Sequence, residues 1–200
     1  AGAKDKTINV TDSYKGTLGT VTATDSTPYA TASFEYDRTE SGKAGTCTIY
    51  DNTAKITETN QSASQSVKLC VGANLKVEKT AIPAFTRLYL WDISKAVDKT
   101  SITQVSGSAV FNYTVIVNQT GITDSAWKVT GKITVTNPND WESIVANVTD
   151  ALDTGACTVV GGSNVTIPAG KSVVLDYTCA SADSAATKNT ATATWDKATS

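Results

Sequence analysis

The sequence predicts an all-β fold, and three observations predict it. Thr fills about a sixth of the 200 positions and Ser nearly a tenth, while His and Met are absent; Thr and Val favour the pleated, half-buried surface of a strand. Short runs alternate apolar and polar residues with a period of two, as in a strand with one covered and one wet face. Turn chemistry separates these runs at short, regular intervals. With 40% hydrophobic residues the chain has the means to build a core, and its length suits one large or two small domains.

Taken in order, the first strand signal is TINVTDSYKGTLGTV at residues 7 to 21. TAKITET follows with Ala54 and Ile56 on one face, though the next position on that face is Glu58, and SQSVKLC ends at Cys70. In FNYTVIVN, Phe111, Tyr113, Val115 and Val117 point one way, and Asn112, Thr114, Ile116 and Asn118 the other. WKVTGKITV repeats the pattern at Trp127, Val129, Gly131, Ile133 and Val135, and SVVLDYTC does so at Val173, Leu175 and Tyr177. Residues 191 to 194 carry a weaker version. Ser41-Gly42, Asp51-Asn52, Ser106-Gly107, Asn137-Pro138-Asn139-Asp140, Gly161-Gly162-Ser163 and Pro168-Ala169-Gly170 read as the turns between them. Many short strands punctuated in this way predict β-sandwiches of immunoglobulin-like type.

Cys47, Cys70, Cys157 and Cys179 allow three pairings. The local ones, 47 with 70 and 157 with 179, enclose loops of similar size. Neither spacing is a metal clamp, and without His a zinc site would need four thiolates from two distant regions. Disulfides are the expectation, each stabilising by about 3 kcal/mol, and they place the chain in an oxidising compartment outside the cell.

The chain also repeats itself. Asn9-Val10-Thr11-Asp12 precedes Asn52-Thr53-Ala54 much as Asn147-Val148-Thr149-Asp150 precedes Asn189-Thr190-Ala191, with Cys47 and Cys179 in roughly corresponding places. SKAVDK, SAVFNYTVIV, KITVTNPND and ANVTDAL, between residues 94 and 152, resemble the immunoglobulin-like repeat domains of large secreted bacterial and archaeal surface proteins. The resemblance covers most of residues 79 to 196 and, in shorter form, 5 to 72. It implies spacers, stalks and assembly modules without a catalytic site.

The expected division is a partial sandwich over residues 1–72 and a second over 79–200. The first copy lacks opening strands, and the second lacks a closing strand equivalent to SQSVKLC. An incomplete sandwich exposes unpaired backbone groups and open core, so something must cover both gaps. The expectation is self-association: an N-terminal donor strand around Lys4, Thr7, Ile8 and Val10 adds to the C-terminal domain of the next copy, head to tail, and generates an extracellular filament. The contrasting expectation is a monomeric stalk, adhesin or carbohydrate-binding module, with glycans or cell surfaces as partners.

Other chemistry is weakly signalled. A net charge of −2 and a pI near 5.1, with scattered Lys and Arg, argue against nucleic acid, and no apolar run has the length of a membrane helix. The Ala1-Gly2-Ala3 start suits a mature end left by signal cleavage. Leu152-Asp153-Thr154-Gly155-Ala156 matches the aspartic-protease signature, but its counterpart reads Tyr14-Lys15-Gly16-Thr17-Leu18, so no second Asp faces it, and a turn explains it better. The absence of His rules out Ser-His-Asp and Cys-His sites. Asn139, Asp140 and Glu142 around Trp141 have the oxygens for Ca²⁺, although a plain turn is the commoner use. Lys95 or Lys99 is a candidate for an isopeptide crosslink. Tyr89, Trp91, Trp127, Trp141 and Trp195 are candidates for a sugar platform, with core and interface packing the stronger expectation. Six sequons, at Asn9, Asn60, Asn112, Asn118, Asn147 and Asn164, are glycosylation candidates. No enzyme activity, cofactor or metal is expected.

Overall fold

The computed structural model describes residues 2–181 and 183–196. The chain is all-β, and every ladder between its named strands is antiparallel. β1 (Thr7–Asp12), β2 (Gly16–Thr22), β3 (Thr46–Ile56) and β4 (Ser62–Val71) form a four-stranded sheet in the order β2-β1-β3-β4. The remainder comprises β5 (Lys76–Lys79), β6 (Ile82–Val97), β7 (Tyr113–Thr136), β8 (Ile144–Leu152), β9 (Gly155–Val159), β10 (Val165–Ile167), β11 (Ser172–Ser181) and β12 (Asn189–Trp195).

This second part folds back on itself into two layers. β9-β11-β7-β5 make one and β10-β8-β12 the other, joined at a corner where Leu152 pairs with Gly155. Alternation along each strand sends Ile133, Val135, Ile144, Val148, Ile167 and Tyr177 inward, where they form one buried cluster. The buried apolar side chains among the described residues all lie at position 75 or beyond.

The first sheet has no such second layer. Residues 29 to 42 instead cross one of its faces as an extended strap, turning Phe34, Tyr36, Arg38 and Glu40 inward at alternate positions. Phe34 lies so close over Gly19 that a Cβ there would meet its ring at 2.7 Å. The Tyr36 hydroxyl donates to Asp12 Oδ2 at 2.7 Å, and the Arg38 guanidinium sits 4.8 Å from the centre of the Tyr14 ring.

An asparagine pair locks the two parts together. Asn139 Nδ2 donates to the Ala73 carbonyl at 3.0 Å and its Oδ1 accepts from the Ala73 amide at 2.7 Å. Asn137 Oδ1 accepts from Asn139, and Asn137 Nδ2 donates to the carbonyls of Glu142 and Ile167. Both asparagines are buried, and their polar groups are matched as burial demands. The predicted Asn-Pro-Asn-Asp turn is therefore also the joint.

The repeat has a structural counterpart. Val10 pairs with Ile56 and Asp12 with Ala54; Val148 pairs with Ala193 and Asp150 with Ala191, the same register in both copies. Asn52 and Asn189 each donate to a tyrosine hydroxyl, Tyr36 and Tyr177 respectively. The cysteines do not follow: Cys47 shares β3 with Asn52, whereas Cys179 lies on β11 and Asn189 opens β12.

Three local expectations differ from the structure. Asp51-Asn52 is the middle of β3, not a turn; the side chains bond to Ser66, Ser13 and Tyr36 while the backbone stays extended, and the Arg38 guanidinium donates to the Asp51 carbonyl. FNYTVIVN and WKVTGKITV belong to one 24-residue strand. β6, absent from the predicted strands, is its partner over 16 residues.

Candidate assembly surface

β7 is covered only at its C-terminal end. From Lys128 to Thr136 it pairs with β11, and from Ile133 to Thr136 also with β5. From Tyr113 to about Ser125 it pairs with β6 alone, so the two strands project as a ribbon about 45 Å long, at 3.3 Å per residue.

The ribbon is amphipathic. Opposed residues in an antiparallel ladder point to the same face. On one face β6 places Phe85, Tyr89, Trp91 and Ile93, and β7 places Tyr113, Val115, Val117 and Ile122, with Arg87, Lys95, Gln119 and Asp124 among them. The other face is mainly Thr, Ser, Asn and Asp, with Leu88, Leu90 and Ile116 among them. Two register shifts put one extra residue into β7 on each occasion, near Thr120 and Ala126, where Ala126 adopts φ +53°. Each extra residue restores the facing, so this side of the ribbon leads into the core face at Val129, Ile133 and Val135, with the Arg87–Asp124 pair lying between Phe85 and Tyr89. At the base Phe85 and Trp127 stack with ring centroids 4.4 Å apart, flooring a groove of about 320 Å³.

Nothing among the described residues covers that face. Trp91 is 63% and Ile93 69% exposed, and the sequence-predicted core residues Tyr113 and Val117 are 60% and 55% exposed. An isolated hairpin bearing an aromatic face is marginal in water, and a contiguous apolar patch of this size marks an interaction site. Arg87 and Asp124 hold the ribbon together by a two-pronged ion pair at 2.7 and 2.8 Å.

The first sheet offers a second uncovered apolar surface. Val10, Ala54, Ile56 and Ala63 surround a groove of about 300 Å³ that no strap residue lines.

The donor-strand residues sit within the chain's own sheet. Thr7, Ile8 and Val10 are in β1, paired with β2, and Val10 is paired with β3 as well; Lys4 precedes the strand. The Asn9 amide and Nδ2 both donate to Glu58, whose carboxyl is held down at about 2, chiefly by the bond from the Asn9 backbone. Donating residues 4–10 to a neighbour would require all of this pairing to break.

The cysteines form two disulfides, Cys47–Cys70 between β3 and β4 and Cys157–Cys179 between β9 and β11, each joining directly opposed residues. Asp150 lies beside the second bridge, but oxidised sulfurs make no metal clamp with it. The Asp150 side chain has no exposed surface and pairs with Lys79, whose ammonium rests 4.1 Å from the centre of the Tyr177 ring. A lysine enclosed beside an acid is thus found at Lys79; Lys95 and Lys99 are exposed, with the Lys95 ammonium over Tyr113. The sequence signal for this pair was Asp150 in the repeat, but its partner 71 residues earlier left none.

Asp153, of the Asp-Thr-Gly run, accepts hydrogen bonds from the Thr187 and Lys188 amides and the Thr187 hydroxyl, which hold its pKa down against burial. The carboxylate serves as a clamp for the chain entering β12. Asn139, offered by the sequence as a Ca²⁺ ligand, engages both polar atoms of its side-chain amide with Ala73 at the joint. All six sequon asparagines are exposed; Asn9 and Asn112 use their amides on Glu58 and Asp98. Of the five platform aromatics, Tyr89, Trp91 and Trp127 gather on the ribbon, while Trp195 packs at the margin of the core. No described helix is long and apolar enough to cross a membrane. Compared with protein-family models, with curated proteins and with solved structures, the chain matches none.

Proposed function

We propose that the protein is a non-enzymatic structural subunit of an extracellular filament, of immunoglobulin-like build, whose copies join head to tail by completing one another's β-structure. The observation that carries this is the ribbon, which extends an ordered sheet with an aromatic-rich face into solvent. Two cross-strand disulfides suit an oxidising exterior. Ribbon and sheet groove are different surfaces, so a contact between them is heterologous and propagates unless rotation closes it. The ribbon replaces residues 4–10 as the element offered to a neighbour, because β1 is already paired on its own sheet.

Negative-stain electron microscopy and sedimentation across a concentration series test this. Fibres or a ladder of oligomers are the expected result, with Trp91→Lys abolishing them; a wild-type chain that stays monomeric at every concentration overturns it.

The stacked Phe85–Trp127 pair favours a second reading, a carbohydrate-binding module in which the groove at the ribbon base takes a sugar ring on its apolar face. Saturable quenching of tryptophan fluorescence by an oligosaccharide, lost in Trp127→Ala without assembly, would select this reading.

A further inference from the structure

We propose that the apolar face of the ribbon docks on the groove at Val10, Ala54, Ile56 and Ala63 of a second copy, covering the part of this sheet face that the strap leaves open. The inference rests on the self-assembling reading and names the surfaces that meet.

The internal repeat identifies the occupant. Val10 and Asp12 opposite Ile56 and Ala54 have the register of Val148 and Asp150 opposite Ala193 and Ala191. In the second part this face is covered by β7, through Ile133 and Val135 in the same buried cluster as Val148. In the first part the strap covers the equivalent face at Gly19, Asp12 and Asn52 and leaves the groove beside it open. The apolar side of β7 that covers the one continues, with its facing kept by the two extra residues, into the ribbon that covers nothing. One chain therefore holds an open groove beside its strap and a ribbon without a sheet face.

Eight large ribbon side chains baring on the order of 100 Å² each give roughly 800 Å², the area one partner contributes to a standard stable interface. Two of the seven residues lining the groove are alanine, and their small side chains leave room for Trp91, Ile93 and Val117 to enter as knobs. Each subunit keeps one ribbon and one groove, so every joint leaves one of each free.

The experiment uses three variants of the full chain, with thermal unfolding as a check that each folds. Val117→Lys disables the ribbon, Ala63→Arg the groove, and Lys68→Glu changes the opposite face of β4. All three positions are exposed, outside the core. Sedimentation should show the Val117→Lys and Ala63→Arg chains needing concentrations on the order of 30-fold higher to associate, as for loss of an interface hot spot, with Lys68→Glu unchanged. Mixing the two disabled chains should give dimers and nothing larger, since the mixture contains one intact joint. If wild type elongates but Ala63→Arg does so equally, or the mixture stays monomeric, this docking is wrong while self-assembly stands. If wild type never associates, the self-assembling reading itself falls.

Discussion

At the scale of single residues, the two repeat aspartates show how one position serves two environments. Asp12 is turned toward a loop: burial works to raise its pKa, but the amides of Lys15 and Tyr14, the Tyr36 hydroxyl and Asn52 together outweigh it and lower it. Asp150 meets a cation instead, with Lys79 between the layers. Removing Asp150 strands that ammonium, which is 16% exposed, under the Tyr177 ring. Asp150→Ala should cost about 3–5 kcal/mol by urea unfolding, and Lys79→Met in the same chain should recover much of it. Glu58 gives a pH prediction. Its carboxyl, ordinarily at 4.5, is held at about 2 in the folded chain, so its contribution is complete above pH 4.5 and fades as the pH falls toward 2. Melting temperature measured over that interval should fall less steeply in Glu58→Gln than in wild type.

At the scale of elements, the joint and the ribbon behave oppositely. Asn139→Ala leaves the amide and carbonyl of Ala73 without their partners and should cost about 1–3 kcal/mol, with faster proteolytic cleavage between residues 72 and 78. Trp91→Lys touches no core residue and should leave the unfolding midpoint of the monomer unchanged while removing assembly. The sequence made much of this legible. The alternation in residues 111–118 and 127–135 reports the two faces of β7 faithfully, because a period of two survives whether the covered face meets its own chain or another. What the pattern does not carry is which body does the covering. β6 escaped because Leu88-Tyr89-Leu90-Trp91 is apolar at every position, which hides the alternation of Phe85, Arg87, Tyr89 and Trp91 with Thr86, Leu88 and Leu90. The strap escaped for a different reason: residues 29–42 lie extended without a ladder, held by the side chains of Phe34, Tyr36 and Arg38, and such bonds have no sequence period. The buried lysine–aspartate pair spans 71 positions, and only the folded topology brings it together.

At the scale of the whole molecule, stability is concentrated in the two-layered part, and the first sheet depends on its strap, its disulfide and the asparagine joint. Opening Cys157–Cys179 by replacing both residues with Ser should cost about 3 kcal/mol, with Cys179 fully buried in the cluster. The Cys47–Cys70 pair should matter chiefly for the local stability of β3 and β4, read as faster amide exchange there with the core amides unaltered. Both disulfides are flanked by long ladders, so each ties neighbours that are already aligned.

The uninterrupted course of β7 also determines how the molecule bears load. Tension on the ribbon along its axis enters the body through the same strand, with no loop or hinge between. From Lys128 to Thr136 the ladder with β11 lies across the direction of pull, so its hydrogen bonds resist in shear, all at once, instead of parting singly from one end. β5 adds a second ladder on the other edge from Ile133 to Thr136. Force entering at the ribbon would therefore reach the core strands of the second part through continuous backbone.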